Sequence, residues 1–146
     1  MNQWRWVVVA PIAACCAAPA FAQIPMEQGN WHIRTTATTN GKAEPVQEQE
    51  ECLRDELKDL NAYFSPELEG VKAKCTKAPR QTRDKSIAYK MKCAGAEFTM
   101  EMESSVKIED PRRFTATLKM DTKTKTERAV VVANIEGRHT GACKGK

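Results

Sequence analysis

Four carboxylates and two histidines are the side chains of this sequence best suited to acid–base chemistry. Carboxylates grouped within a few residues can serve as general acid and general base. Acidic side chains are also favourable at the start of a helix, where they face the positive end of its dipole, and we favour that solvated arrangement here. The histidines stand alone in the sequence and are expected at the surface. These residues are Glu48, Glu50, Glu51, Asp55, His32 and His139.

Nucleophilic catalysis finds no support in the sequence. The G-x-S-x-G motif that presents a catalytic serine is absent. The positions of the acidic, basic and nucleophilic residues in the sequence also bring no acid, base and nucleophile together. We therefore expect a protein that has no catalytic residues and is not an enzyme.

Four methionines form the most suggestive set for metal binding: Met91, Met100, Met102 and Met120. Thioether sulfur binds Cu(I) in export compartments. Methionine also fills irregular apolar cores, and all four fall on rows of residues predicted to point inward. We therefore favour a core role and expect neither a metal site nor another cofactor.

The first 22 residues have the composition of a secretory signal peptide. Arg5 supplies a positive charge, residues 7–18 form an uncharged apolar run, and residues 20–22 read A-F-A, an A-x-A cleavage site. The run is shorter than the roughly 20 residues that a membrane-spanning helix needs. We expect residues 1–22 to be removed and residues 23–146 to form one domain in the periplasm.

A lipidated form is the alternative to simple cleavage. Residues 12–15 read I-A-A-C, which resembles the lipobox at which bacterial lipoproteins are cut and lipidated. The apolar run before Cys15 is short and the A-F-A site follows it closely, so cleavage after Ala22 is favoured and lipidation at Cys15 stays open.

Four cysteines follow the leader: Cys52, Cys75, Cys93 and Cys143. An even number in an exported chain, without any C-x-x-C or C-x-x-H pair, indicates two disulfides rather than a metal or redox site. Cys75 and Cys93 are symmetric about Asp84, so a hairpin that turns there would place them opposite each other. By elimination Cys52 pairs with Cys143, which would join the end of the chain to the start of the predicted helix.

The charge of the chain argues against a nucleic-acid partner. Removal of the leader leaves 124 residues with 22 basic and 19 acidic side chains, a net charge of +3. This charge is mild and spread along the chain, and no basic cluster interleaves with aromatic residues. We also expect no transmembrane span in the mature chain.

Alternation of apolar and polar residues predicts most of the fold. It runs through residues 31–38 and again through most of the chain after residue 71, which indicates strands with one buried face. Turns are predicted at residues 40–41, 110–111 and 122–125. The expected fold is mainly β: a single antiparallel meander of about six to eight strands, curved or barrel-like, with one short helix and two disulfides.

The helix is predicted within residues 50–64, where the apolar period changes. Its apolar residues are spaced by four, three and four and share one helical face. They are Leu53, Leu57, Leu60 and Phe64.

Nine apolar residues on the predicted strands should line one face of the sheet. A curved sheet of this size either encloses a small ligand or fills with its own side chains. The candidate lining residues are Phe98, Met100, Met102, Val106, Phe114, Leu118, Met120, Val131 and Ile135.

The order of cysteines and glycines resembles a bacterial exported family known as domain of unknown function 3617. The pattern is G-x-W, N-G, C-L, an isolated C-T, a single cysteine and a terminal G-R-x-x-G-x-C. The resemblance implies a periplasmic or envelope location and a mostly β fold, and it brings no established activity. The matching residues are Gly29, Trp31, Asn40, Gly41, Cys52, Leu53, Cys75, Thr76, Cys93, Gly137, Arg138, Gly141 and Cys143.

Two classes of function are compatible with these features. One is a non-catalytic envelope module that binds an apolar group or an envelope partner on the inward face. The other is a small structural or assembly protein of the envelope with a filled core. An open cavity beneath the inward rows would favour the first.

Overall fold

The computed structural model of the protein describes residues 26–64, 72–78, 81–83 and 85–144. The predicted signal peptide, the lipobox and Asp84 lie outside these residues. Nine strands are present in the described part of the chain. They are β1 (Gly29–Thr39), β2 (Lys42–Ala43), β3 (Gln47–Leu53), β4 (Ala73–Lys77), β5 (Gln81–Arg83), β6 (Ser86–Gly95), β7 (Phe98–Asp110), β8 (Arg113–Thr124) and β9 (Arg128–Gly141).

All nine strands belong to one antiparallel sheet, which confirms the predicted fold class. β2 and β3 pair with the same side of β1, and β4 and β5 pair with the same side of β6. The strands therefore occupy seven positions, in the order β2/β3, β1, β9, β8, β7, β6 and β4/β5. In the residues that the structure describes, the two outer positions do not pair with each other, so the sheet is open.

The strand order departs from a simple meander at one place. β9 lies between β8 and β1, so the first strand of the sequence pairs with the last. As a result, the connection from β3 to β4 must cross from one edge of the sheet to the opposite edge; it is called here the crossing connection, and residues 54–64 are its described helical part. Its helical part packs on one face of the sheet, because Leu57 and Leu60 are buried among strand residues.

The predicted helix begins later than expected and is divided. Residues 50–53 belong to β3, where Trp31 lies opposite Glu51 and the backbone is held by the ladder. A 3₁₀ helix follows at Asp55–Lys58 and a single α-helical turn, α1, at Leu60–Tyr63. Asp59 separates them, since its side chain accepts a hydrogen bond from the Ala62 N–H at 3.0 Å and caps α1. Leu53, Leu57 and Leu60 still reach the core as predicted.

The two faces of the sheet differ in polarity. The outer face carries exposed ion pairs such as Lys90–Glu103 at 2.8 Å and Lys92–Glu101 at 3.0 Å. The opposite face, called here the inner face, carries the buried side chains. Register across β7, β8 and β9 places all nine candidate lining residues on the inner face.

The inner face contains two apolar clusters. The first, the helix-side cluster, includes Trp31, Ile33, Phe114 and the leucines of the crossing connection. The second, the methionine cluster, consists of Tyr89, Met91, Cys93, Met100 and Met102 with Ala73, Phe98, Leu118 and Met120 packed against them. Burial of each such large apolar side chain stabilises the fold by about 1.5–3 kcal/mol.

Two disulfides join the pairs expected from the sequence. Cys75 and Cys93 are directly opposite each other on β4 and β6, with Cα atoms 4.0 Å apart; this is the cross-strand disulfide. Cys52 bonds to Cys143 with Cα atoms 5.4 Å apart; this is the terminal disulfide. Cys52 lies in β3 rather than at the start of a helix. Asn30 pairs with both Cys52 and Gly141, so the terminal disulfide bridges across β1.

The glycine and tryptophan residues of the sequence pattern have structural roles. Trp31 is fully buried and donates its Nε1–H to the Glu27 carbonyl at 3.0 Å. A side chain at Gly29 would overlap the His139 ring, and one at Gly137 would overlap the Phe114 ring. These glycines allow two rings to lie directly against the backbone.

Candidate functional site

A pocket of about 360 Å³ lies on the inner face, between the crossing connection and strands β1, β3, β7, β8 and β9. This volume falls in the range of small-molecule sites, about 300–1,000 Å³. Seven of its lining residues are apolar and five have polar side chains that a ligand could contact. The apolar residues are Ile33, Phe64, Val106, Phe114, Ala116, Leu118 and Ile135, and the polar ones are Thr35, Gln49, Glu51, Tyr63 and Ser104.

Strand register builds the floor of the pocket. Val106, Ala116, Ile135 and Thr35 lie side by side on β7, β8, β9 and β1. Ala116 is the smallest of the four and is 8% exposed. In the next row Ser104 lies opposite Leu118. Small side chains at two neighbouring positions therefore leave a depression between larger ones.

The crossing connection forms one wall of the pocket through two aromatic residues. Phe64 meets the ring of Phe114 edge-on, with centroids 5.1 Å apart, and Tyr63 meets Phe64 in the same way at 4.8 Å. Such edge-to-face pairs add about 0.5–1.5 kcal/mol beyond the area that they bury. Phe114 also packs against Trp31 at 5.7 Å. The wall is thus joined to the best-buried part of the core.

Glu51 gives the pocket its charge. Its Oε2 atom accepts a hydrogen bond from the Tyr63 hydroxyl at 3.3 Å. Burial of the hydroxyl, and then the negative charge of Glu51, raise the pKa of Tyr63 well above that of an exposed tyrosine. Tyr63 therefore remains a neutral donor, and Glu51 is the charged side chain among the described residues that line the pocket.

The pocket includes four of the nine candidate lining residues: Val106, Phe114, Leu118 and Ile135. Phe98, Met100, Met102 and Met120 belong to the methionine cluster instead. In that cluster Met100 and Met102 are each 5% exposed, so that part of the inner face is filled by its own side chains. Val131 is half-buried beside Met120, near the N-terminal end of β9.

Eight of the twelve pocket residues named above were not among the candidate lining residues: Ile33, Thr35, Gln49, Glu51, Tyr63, Phe64, Ser104 and Ala116. Ile33 lies on a predicted inward row, but nothing in the sequence showed that β1 pairs with β9. Glu51 falls where the helix was expected to begin and Gln49 lies just before it, and both point inward because β3 alternates as a strand. Tyr63 and Phe64 follow the leucines, and their aromatic character was the available signal that they line a pocket.

The four carboxylates considered for acid–base chemistry have separate partners. Glu48 and Glu50 lie on the outer face and Glu51 on the inner face, because successive residues of β3 alternate. Asp55 lies beyond the strand. Their partners are Arg34 for Glu48 at 3.5 Å, His32 for Glu50 at 2.9 Å, Tyr63 for Glu51 at 3.3 Å and Lys58 for Asp55 at 2.7 Å.

The second histidine packs close to the start of the described chain. His139 Nδ1 is 3.2 Å from an Arg112 guanidinium nitrogen, and its Nε2 is 3.2 Å from the Gln28 carbonyl oxygen. Its ring meets Trp31 edge-on. Residues 26–64, 72–78, 81–83 and 85–144 contain no group of three or more histidine, cysteine or acidic side chains arranged to hold a metal ion.

A second hollow, of about 420 Å³, lies on the outer face beside the cross-strand disulfide. Most of its lining side chains are charged or carry hydroxyl groups, among them Lys74, Glu101 and Asp121. It is a solvated surface between ion pairs rather than an apolar site. In the described part of the chain, no helix is long and apolar enough to cross a membrane.

These features define an open, disulfide-linked antiparallel sheet with an apolar pocket on one face. The family described as "Protein of unknown function (DUF3617)" matches residues 26–143, and the chain therefore belongs to that family. This confirms the resemblance drawn from the cysteine and glycine pattern. Neither the curated proteins nor the solved structures gave a match.

Proposed function

We propose that this protein is a non-catalytic module of the bacterial periplasm that binds an apolar group in the inner-face pocket. The proposal rests on the pocket, which has a volume of about 360 Å³. Val106, Ala116 and Ile135 form its floor and aromatic rings form one wall. A ligand site of this kind is expected to combine apolar walls with a few polar groups that fix orientation. Gln49, Glu51 and Tyr63 supply such groups.

The location in the periplasm rests on the sequence of the leader and on the cysteines. Disulfides form and persist in oxidising compartments, and the terminal and cross-strand disulfides fit that environment. The intact mass of protein recovered from the periplasm tests this part. We expect the mass of residues 23–146, whereas a chain acylated at Cys15 would support the lipoprotein alternative.

A structural or assembly role in the envelope is the second candidate function. The methionine cluster favours it, because Met91, Met100 and Met102 are only 3–5% exposed and leave that end of the inner face filled. Under this alternative the pocket beside Phe64 would hold no specific molecule. The two candidates differ in whether apolar molecules occupy that pocket.

Titration with the neutral apolar dye Nile red, whose fluorescence rises in apolar surroundings, distinguishes the two functions. Ser104→Leu enlarges a lining side chain and should weaken dye binding by about tenfold or more, equal to about 1.4 kcal/mol. Ser105→Leu is the matched control, because the neighbouring residue is exposed on the outer face of the same strand. We expect Ser105→Leu to bind the dye as the unmodified protein does.

Urea unfolding of both variants checks that each is folded. Native mass spectrometry and lipid extraction of protein purified from its own host provide a second readout. Absence of any dye binding, together with no co-purifying apolar molecule, would refute the binding function and leave the structural one. Equal dye binding by the Ser104→Leu variant would refute the assignment of the pocket.

A further inference from the structure

The negative charge of Glu51 inside the pocket bears on the chemical class of the ligand. We propose that the pocket selects an apolar molecule that carries a cationic head group, and that Glu51 recognises that head. This inference rests on the proposed function, since it concerns the same pocket. It names a chemical class, an alkyl chain ending in an ammonium group.

The position of Glu51 is the first argument. Alternation along β3 sends Glu48 and Glu50 to the outer face, where they meet Arg34 and His32. Glu51 alone of these three glutamates points to the inner face, and its side chain is partly buried there. Within the described residues it makes no ion pair with a basic side chain. Its hydrogen bond from Tyr63 uses the Oε2 atom.

The aromatic wall is the second argument. Tyr63 and Phe64 lie at the same end of the pocket as Glu51, and all three line it. Aromatic ring faces attract cations, including alkylammonium groups, through their quadrupole. A carboxylate beside aromatic rings is therefore suited to an ammonium group and opposes a carboxylate or sulfate.

The overall charge of the protein is opposite in sign to the charge of Glu51 in the pocket. Residues 23–146 carry 22 basic and 19 acidic side chains, a net charge of +3, which by itself would favour anionic ligands over cationic ones at long range. A preference for the cation must therefore come from the local charge in the pocket. Raising the salt concentration would weaken the long-range effect more than the contact with Glu51, because partly buried charges are screened less.

The experiment measures displacement of Nile red by three ligands with the same ten-carbon chain: decanol, decyltrimethylammonium and decyl sulfate. We expect decyltrimethylammonium to bind about tenfold more tightly than decyl sulfate. In the Glu51→Gln variant the two charged ligands should bind equally, and decanol, which is uncharged, reports any change in the affinity of the pocket for the alkyl chain itself. Glu48→Gln is the control, since it changes the net charge equally on the outer face, and it should retain the preference.

The outcomes separate this inference from the proposed function. If decanol displaces the dye but the two charged ligands bind equally, or decyl sulfate binds better, the cation selectivity is refuted and the binding function stands. If the Glu48→Gln variant loses the preference as Glu51→Gln does, the local role of Glu51 is refuted. If none of the three ligands displaces the dye, both are refuted.

Discussion

Replacing Gly137 with alanine probes the contact that holds the pocket wall in place. A glycine in a strand interior is usually destabilising by about 0.5–1 kcal/mol relative to alanine, so the substitution would ordinarily raise stability. Here the new Cβ would lie 2.6 Å from Cδ1 of Phe114, with two further ring atoms closer still. Gly137 is not at a positive φ, so the effect is one of space alone.

The expected result is a loss of about 1–3 kcal/mol in the free energy of unfolding, the usual cost of forcing extra atoms into a packed core. Phe114 is only 2% exposed and contacts both Trp31 and Phe64, so its ring cannot move without disturbing the core. Urea unfolding with both disulfides intact, followed by the fluorescence of the buried Trp31, measures the change.

A double-mutant cycle with Phe114→Ala isolates the contact. In the Phe114→Ala background the ring is gone, and Gly137→Ala should be neutral or stabilising, giving a coupling of at least about 1 kcal/mol. If Gly137→Ala raises the stability of the unmodified protein, or costs the same in both backgrounds, the reasoning about this glycine is wrong.

Three further predictions concern the disulfides and the two tyrosines. Alanine at both cysteines of the terminal disulfide, which spans 91 residues, should lower the free energy of unfolding by about 4–5 kcal/mol. The same change at the cross-strand disulfide, which spans 18 residues, should lower it by about 3 kcal/mol. Chemical unfolding of both double variants checks this order. Tyr89→Phe should leave stability unchanged or raise it by up to about 1 kcal/mol, because the buried hydroxyl has no hydrogen-bond partner among the described residues; a clear loss would show that it has one. Because burial and Glu51 raise the pKa of Tyr63, the folded protein keeps this proton at a pH where the unfolded chain releases it. The resulting stability is present below tyrosine's ordinary pKa of about 10 and falls above it, so stability should decline less steeply above about pH 10 in Tyr63→Phe; equal slopes would contradict this.

The strands after residue 85 could be predicted from sequence because each has one buried face. The period of two is unbroken from Phe98 to Ile108, and the short turns cause neighbouring strands to pair with each other. Pairing of Cys75 with Cys93 was predicted from their symmetry about Asp84. Local patterns of this kind specify which residues face inward without any knowledge of the complete sheet.

The long-range arrangement could not be predicted in the same way. Pairing of β1 with β9 joins segments about one hundred residues apart, and no local pattern encodes it. Leu53 is both the first of the leucines with helical spacing and an inward-facing residue of an alternating strand, and the β1 ladder decides between the two. The pocket depends on both features, so only part of its lining was predicted.

Methyl NMR of the protein titrated with decanol tests directly whether an apolar group binds in the inner-face pocket. We expect saturable shifts that are largest for the methyl groups of Ile33, Val106 and Ile135, which line the pocket. Exposed Val46 and Val132 serve as internal controls and should change little. No saturable shift up to the solubility limit of decanol, or the largest shifts at Val46 or Val132, would contradict the claim.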